Sequence, residues 1–307
     1  MRRVLAGTGR VLITLGLLIL LFVAYQLWGT GIYTARAQNK LESSFQQALQ
    51  ASGSTSGSTT TTRPGPTPAT APVPITVPAA PPSVPEGDAV GHIVIPKIGV
   101  DAYVVQGTND SDLRKGPGHY PSTPYPGQRG NAAIAGHRTT YGAPFGDLDQ
   151  LENGDTVEVT TLQGTFQYRV FDSVVVDPTD FEVLNPDPAR AATLTLTTCN
   201  PKYSASQRLI VKADLVVPPG SQPLASSVDP EDPVVKHAQA SDAFAGHSGS
   251  KLPTVLAGLL TALIGALWWL LFHRHPRWTT WFLGVVPFAI SLSVFYYLLE
   301  RVLPSNY

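Results

Sequence analysis

The sequence predicts an all-β folded unit, a barrel or a sandwich with a few short helical turns, tethered between three membrane-spanning helices. Three observations carry this reading. A series of short β-branched or alternating runs lies between Asp88 and Val217, punctuated by Gly, Pro, Asn and Asp. No segment within that region repeats apolar residues at helical spacing. Long uncharged apolar stretches stand at both ends of the 307-residue chain.

The runs expected as strands are His92–Ile95, Ala102–Val105, Asn131–Ala135, Asp155–Val159, Phe166–Val170, Ser173–Val176, Thr193–Leu196 and Arg208–Val211. Many short strands at this spacing indicate a barrel or sandwich. Short helical turns fit only near Ser111–Lys115, Phe145–Leu151 and Asp187–Ala191. The unit from 88 to 217 has the size of one domain.

The first apolar stretch runs from Val11 to Trp28 and carries no charge, with Arg2, Arg3 and Arg10 before it. It is long enough to span a bilayer, and flanking arginines favour the cytoplasmic side. A cleaved signal peptide is the competing reading, since Ala35-Arg36-Ala37 resembles a small-x-small cleavage site. The stretch is longer than a typical signal core and the alanine pair lies well beyond it, which favours an uncleaved anchor over residues 1–30. Two further apolar segments, 252–272 and 278–299, flank the basic loop His273-Arg274-His275-Pro276-Arg277. A loop so short and basic is expected inside, which places residues 31–251 and the tail 300–307 outside. Tryptophans and tyrosines near the segment ends (Trp268, Trp269, Trp278, Trp281, Tyr296, Tyr297) fit the interface. The alternative is a buried helical hairpin of a soluble protein.

Residues 31–50 are expected as a juxtamembrane segment, of which 36–50 are weakly helical in character. Residues 51–87 are rich in Ser, Thr and Pro and bury too little apolar surface to fold, so they are expected to form an extended stalk. Residues 218–251 form a second polar tract of the same character. Charge is balanced, with 21 basic against 22 acidic residues, which leaves no footprint for nucleic acid. No clustered carboxylates suit a metal, and no cofactor is expected.

The chain has one cysteine, Cys199, in Thr195-Leu196-Thr197-Thr198-Cys199-Asn200-Pro201. It cannot form an internal disulfide. An exported thiol that is retained at the end of a β-prone run points to chemistry, against the alternative of a small buried hydrophobe. A thiol nucleophile needs a base or a cation beside it. Of His92, His119 and His137, the first two read as surface or turn residues. His137 follows the strand Asn131–Ala135 and a glycine, which projects an imidazole from a strand end. Arg208 opens the next strand after Cys199. If the two strands are adjacent, the intervening loop returns Arg208 to the cysteine, where it suits a developing oxyanion. The alternatives are a structural histidine and a solvated arginine.

Thr195-Leu196-Thr197-Thr198-Cys199 fits the TLxTC signature of sortases, Arg208 follows as the sortase arginine does, and Ala135-Gly136-His137-Arg138 resembles the sortase histidine segment. Thr139–Phe145 and the Cys199-Asn200-Pro201 to Gln207-Arg208-Leu209-Ile210 region resemble class E sortases of high-GC Gram-positive bacteria. The resemblance implies a closed barrel of eight strands and a membrane-anchored cysteine transpeptidase. Such an enzyme cuts an LPxTG or LAxTG sorting signal between Thr and Gly and passes the acyl group to an amine. The partners it implies are secreted proteins with a C-terminal sorting signal and a peptidoglycan-precursor or pilin amine. By position, Cys199 is the nucleophile, His137 the general acid/base and Arg208 the oxyanion partner. Thr198 is expected to help line the oxyanion site and Tyr141 to contact the signal. A pilin-polymerising enzyme, and a non-catalytic surface β-module, are the alternatives. No aromatic Asp-Pro-type lid segment precedes Asp88, which favours a housekeeping anchoring role.

Overall fold

The computed structural model describes residues 13–14, 16–55, 83–218, 220–228, 251–272 and 278–300. The expected basic loop 273–277, most of the stalk and most of the second linker lie outside the described residues. The chain divides into two compact units, one of residues 31–245 and one of residues 1–30 with 246–306.

The first unit is a barrel. Its strands are β1 (Ala89–Ile95), β2 (Val100–Gln106), β3 (Gly118–His119), β4 (Gly130–Ala135), β5 (Thr156–Thr161), β6 (Gly164–Val176), β7 (Ala192–Asn200) and β8 (Gln207–Leu215). They close in the order β1-β2-β3-β4-β7-β8-β6-β5. Closure leaves no unpaired sheet edge. Every run expected as a strand lies in one except that Asp155 precedes β5, and Phe166–Val170 and Ser173–Val176 both belong to β6. Only β3 has no counterpart among the expectations, because two residues are too few to show alternation. It pairs parallel with β2 and antiparallel with β4.

Alternation decides which side chains fill the barrel. In β4, Ala132 and Ile134 point inward; in β7, Leu194 and Leu196; in β8, Leu209, Val211 and Ala213. They pack with Ile93, Val104, Val157, Val159 and Tyr168 into one core. Successive strand residues point to opposite faces, so the intervening positions of β4, β7 and β8 face outward. That outer face is also buried in β7, where a second apolar cluster contains Ala133, Ala135, Val183, Leu184, Cys199 and Ile210. Val183 and Leu184 belong to a 3-10 turn, Phe181–Leu184, in the long connection from β6 to β7.

Residues 31–50 are part of a helix, α1 (Thr30–Thr55), that packs on the barrel. Leu41 and Phe45 are buried against Ala89 and Val105. The Gln38 side chain donates to the carbonyls of Tyr103 and Lys115, both at 2.9 Å, and accepts from the Tyr103 amide at 2.7 Å. A second helix in this unit, α2 (Asp110–Leu113), is one turn long and is capped by the Asn109 side chain. The described residues after β8 also pack on the barrel. Leu224 bridges to Gln128, and the Ser227 hydroxyl donates to the Gln128 amide oxygen at 2.7 Å.

One histidine departs from expectation. His119 is fully buried instead of on the surface, because β3 carries it between β2 and β4. Its ring nitrogens lie 2.8 Å from the Gln106 side-chain oxygen and 2.9 Å from the Pro124 carbonyl.

The second unit contains α3 (Lys251–Phe272) and α4 (Trp278–Glu300). The Thr254 hydroxyl donates to the Leu298 carbonyl across the pair, at 3.0 Å. Tyr296 donates to the Leu18 carbonyl at 2.7 Å. Of the three expected spans, one meets the length and apolarity of a membrane crossing among the described residues, Lys251–Leu271. Leu283–Leu299 is a shorter apolar helix, and Val11–Trp28 is only partly described.

Candidate active site

The site lies where β4, β7 and β8 run side by side. β4 and β7 are parallel, with Ala135 opposite Thr197. The pairing continues past the end of β4, since the Gly136 amide donates to the Thr197 carbonyl at 3.0 Å. The Thr198 hydroxyl donates to the Gly136 carbonyl at 2.8 Å. His137 follows Gly136, beyond the paired residues of β4. On the other side of β7, Cys199 is paired directly with Arg208 in the antiparallel ladder. Directly opposed residues stand about 5 Å apart and share a face. Parity puts Cys199 and Arg208 on the outer face, together with Ala133, Ala135 and Ile210. The register therefore pairs thiol with guanidinium, and β4 leads to the imidazole from the other side of β7.

Gly136 permits this turn. A Cβ at that position would sit 2.6 Å from the Phe145 ring, closer than any side chain tolerates. The histidine loop closes on itself through the Phe145 amide, which donates to the His137 carbonyl at 3.1 Å.

Cys199 and His137 are almost wholly buried, at 3 % and 2 % exposure. Burial pushes the Cys199 thiol up to about 11, against the opposing pull of Arg208 and Arg138. Arg208 is buried too, and its guanidinium donates to the carbonyls of Ala205 at 2.9 Å and Gln207 at 3.1 Å. Thr198 lies on the inward parity, and its hydroxyl is committed to Gly136. Tyr141 is only 6 % exposed and its ring is 5.0 Å from that of His137.

Two residues to which the sequence assigned no role hold the site together. Arg138 donates to the Cys199 carbonyl at 3.0 Å and to the Asn200 side chain at 2.7 Å, and pairs with Asp149 at 3.1 Å. It locks the histidine loop to the cysteine strand. Asn131 accepts from the hydroxyls of Thr193 and Thr195 at 2.9 and 2.8 Å, and donates to the Leu184 carbonyl at 3.0 Å. It ties the apolar turn Phe181–Leu184 over the outer face of β7. The only sequence signal for either was a polar residue at a position that alternation assigns to a covered face.

A cavity of about 1130 Å³ opens beside this face. Thr123, Arg129, Phe181, Leu184, Arg190 and Ser226 are among its walls. Gly130, Asn131 and Ala191, at the start of β4 and β7, are also among its walls, and Cys199, His137 and Arg208 are not. Among the described residues no group of His, Cys, Asp and Glu is arranged to hold a metal ion.

Residues 93–216 match the family described as Sortase domain. The chain is 31 % identical over 222 residues to sortase SrtE1 of Streptomyces coelicolor, a match that covers 68 % of this chain and 56 % of that protein. The chain belongs to the sortase family. It is also 36 % identical over 115 residues to sortase D of Bacillus subtilis, covering 38 % of this chain and 56 % of that one. The match thus spans little more than half the length of each of these sortases. The solved structure of sortase E from Streptomyces avermitilis is 39 % identical, with a TM-score of 0.39, over 44 % of this chain and 91 % of that one. The sortase family is one of cysteine transpeptidases, and the matched region holds the single cysteine of this chain.

Proposed function

We propose that this sortase cleaves an LPxTG- or LAxTG-type sorting signal between Thr and Gly and transfers the protein to an amine of a cell-wall precursor. The observation that supports this most is the direct pairing of Cys199 with Arg208 on β7 and β8, beside the end of β4 that leads to His137. The thiol of Cys199 gives its proton to His137, and the thiolate attacks the Thr carbonyl carbon. Arg208 steadies the oxyanion as the C–S bond forms. His137, now imidazolium, gives a proton to the glycine nitrogen as the C–N bond breaks. The thioacyl enzyme is then attacked by the amine, His137 accepts that proton, and the C–S bond breaks to restore the thiolate.

The substrates on this reading are secreted proteins with a C-terminal sorting signal.

The full-length chain in detergent should cleave a fluorogenic LPxTG or LAxTG peptide. Cys199→Ala should abolish cleavage, and Arg208→Ala should lower kcat at least about 100-fold. Failure to cleave either peptide with Cys199 reduced, or full activity in Cys199→Ala, would sink this reading.

The same proposal makes the chain a multi-pass membrane protein with the barrel outside and residues 273–277 inside. A cysteine placed in that loop of a Cys199→Ala chain should resist a membrane-impermeant maleimide in intact cells. Labelling there would contradict the orientation.

A further inference from the structure

The loop that leads away from His137 passes through three consecutive residues in the left-handed region: Tyr141 at φ 52°, Gly142 at φ 76° and Ala143 at φ 44°. Only the middle one is a glycine. A non-glycine residue takes up this conformation at a cost and keeps it where its surroundings over-determine it. The bend turns Tyr141 inward. Its ring lies 5.0 Å from the His137 imidazole with 34° between the planes.

Two other groups hold that ring. The Arg114 guanidinium lies 5.3 Å from its centroid. The Tyr33 ring of α1 meets it edge-on, at 6.3 Å and 78°. Arg114 is itself fixed, by an ion pair with Asp110 at 2.7 Å. Its carbonyl accepts the Thr34 hydroxyl, again from α1, at 2.9 Å. A chain of contacts therefore runs from the N-terminal helix through Tyr33, Arg114 and Tyr141 to the imidazole.

We propose that Tyr141 is a positioning residue for His137 and that α1, through Tyr33 and Thr34, completes the active site by holding Tyr141 in place. This rests on His137 being the acid/base of the reaction. A ring packed against the imidazole limits its rotation about the side-chain bonds, so the nitrogen that must reach the thiol and the leaving amine is already aimed. Tyr141 thereby acts on the histidine and not on the sorting signal. The ring is what limits the imidazole, and phenylalanine supplies the same ring.

The test is steady-state kinetics of the full-length chain on the sorting peptide, with thermal melts as a check on folding. Tyr141→Leu should lower kcat at least tenfold with KM within twofold, and Tyr141→Phe should restore most of the loss. Tyr33, at 48 % exposure, tolerates change more readily. Tyr33→Leu should lower kcat about threefold with an unchanged melt, and it carries the test if Tyr141→Leu fails to fold. A folded Tyr141→Leu with the parental kcat would overturn the proposal. So would a raised KM at unchanged kcat, which would make Tyr141 a substrate contact, or a Tyr33→Leu indistinguishable from the parent. If the parent cleaves no sorting peptide, the rate of Cys199 alkylation by iodoacetamide at pH 7.5 is the readout. It should fall in Tyr141→Leu and recover in Tyr141→Phe, and equal rates in all three would overturn the positioning role independently of the substrate.

Discussion

Cys199 is a reluctant thiolate by itself. Burial among Ala135, Leu184 and Ile210 favours its neutral form, and two nearby guanidiniums only partly offset this. On the proposed mechanism, reactivity near neutral pH comes from proton transfer to His137 and not from a standing thiolate. His119 offers a contrast. It is wholly buried, and desolvation holds its imidazole down to about 4. The unfolded chain binds a proton here near 6.5 and the folded chain does not until about 4, so folding stability is lost as pH falls through that window. The full loss from this group is roughly 3 kcal/mol. Urea unfolding of the parent and of His119→Gln at pH 7 and pH 4 should show a smaller acid loss in the variant by about that amount. Equal losses would show that the ring is not buried neutral. The adjacency of Cys199 and Arg208 was legible because the short loop between their strands returns the chain, and both sit in local motifs. Arg138 and Asn131 were not, since their roles depend on which strand lies beside which. His119 was misread because a two-residue strand leaves no pattern to mark it as interior.

At the scale of elements, the strands were readable and the docking of α1 was not. The helix puts Thr34, Gln38, Leu41, Phe45 and Leu49 along one face, at helical spacing. Two of these are polar, and Gln38 repeats the hydrogen bonding of a strand edge against Tyr103, so apolar periodicity alone understates the face. Burial of Phe45 and Leu41 is what fixes the helix to the barrel. Phe45→Ala should cost about 3 kcal/mol in unfolding experiments on the full chain. A cost below about 1 kcal/mol would mean that the helix does not dock as described. The connection from β6 to β7 is the other element that sequence alone leaves unplaced. Its turn at Phe181–Leu184 covers the outer face of β7 because Asn131 holds the Leu184 carbonyl, a contact across more than fifty residues of chain.

For the whole molecule, the proposed function puts the chemistry on the barrel and the tether on the apolar unit. The closed barrel makes neighbouring strands a rigid ruler, so the pairing of Cys199 with Arg208 follows from register, and β4, parallel to β7, leads to His137. The three-span arrangement was read from hydropathy; among the described residues Lys251–Leu271 alone meets the length and apolarity of a crossing. The central claim is that Cys199 is acylated by the threonine of a sorting signal. Intact-mass and peptide mass spectrometry of the full-length chain, quenched in acid during turnover of an LPxTG or LAxTG peptide without an amine acceptor, measures this directly. The account predicts an added mass equal to the signal truncated after Thr, confined to the peptide bearing Cys199 and released by hydroxylamine. Cleavage of the peptide with no adduct on Cys199, or an adduct that persists in Cys199→Ala, would contradict it.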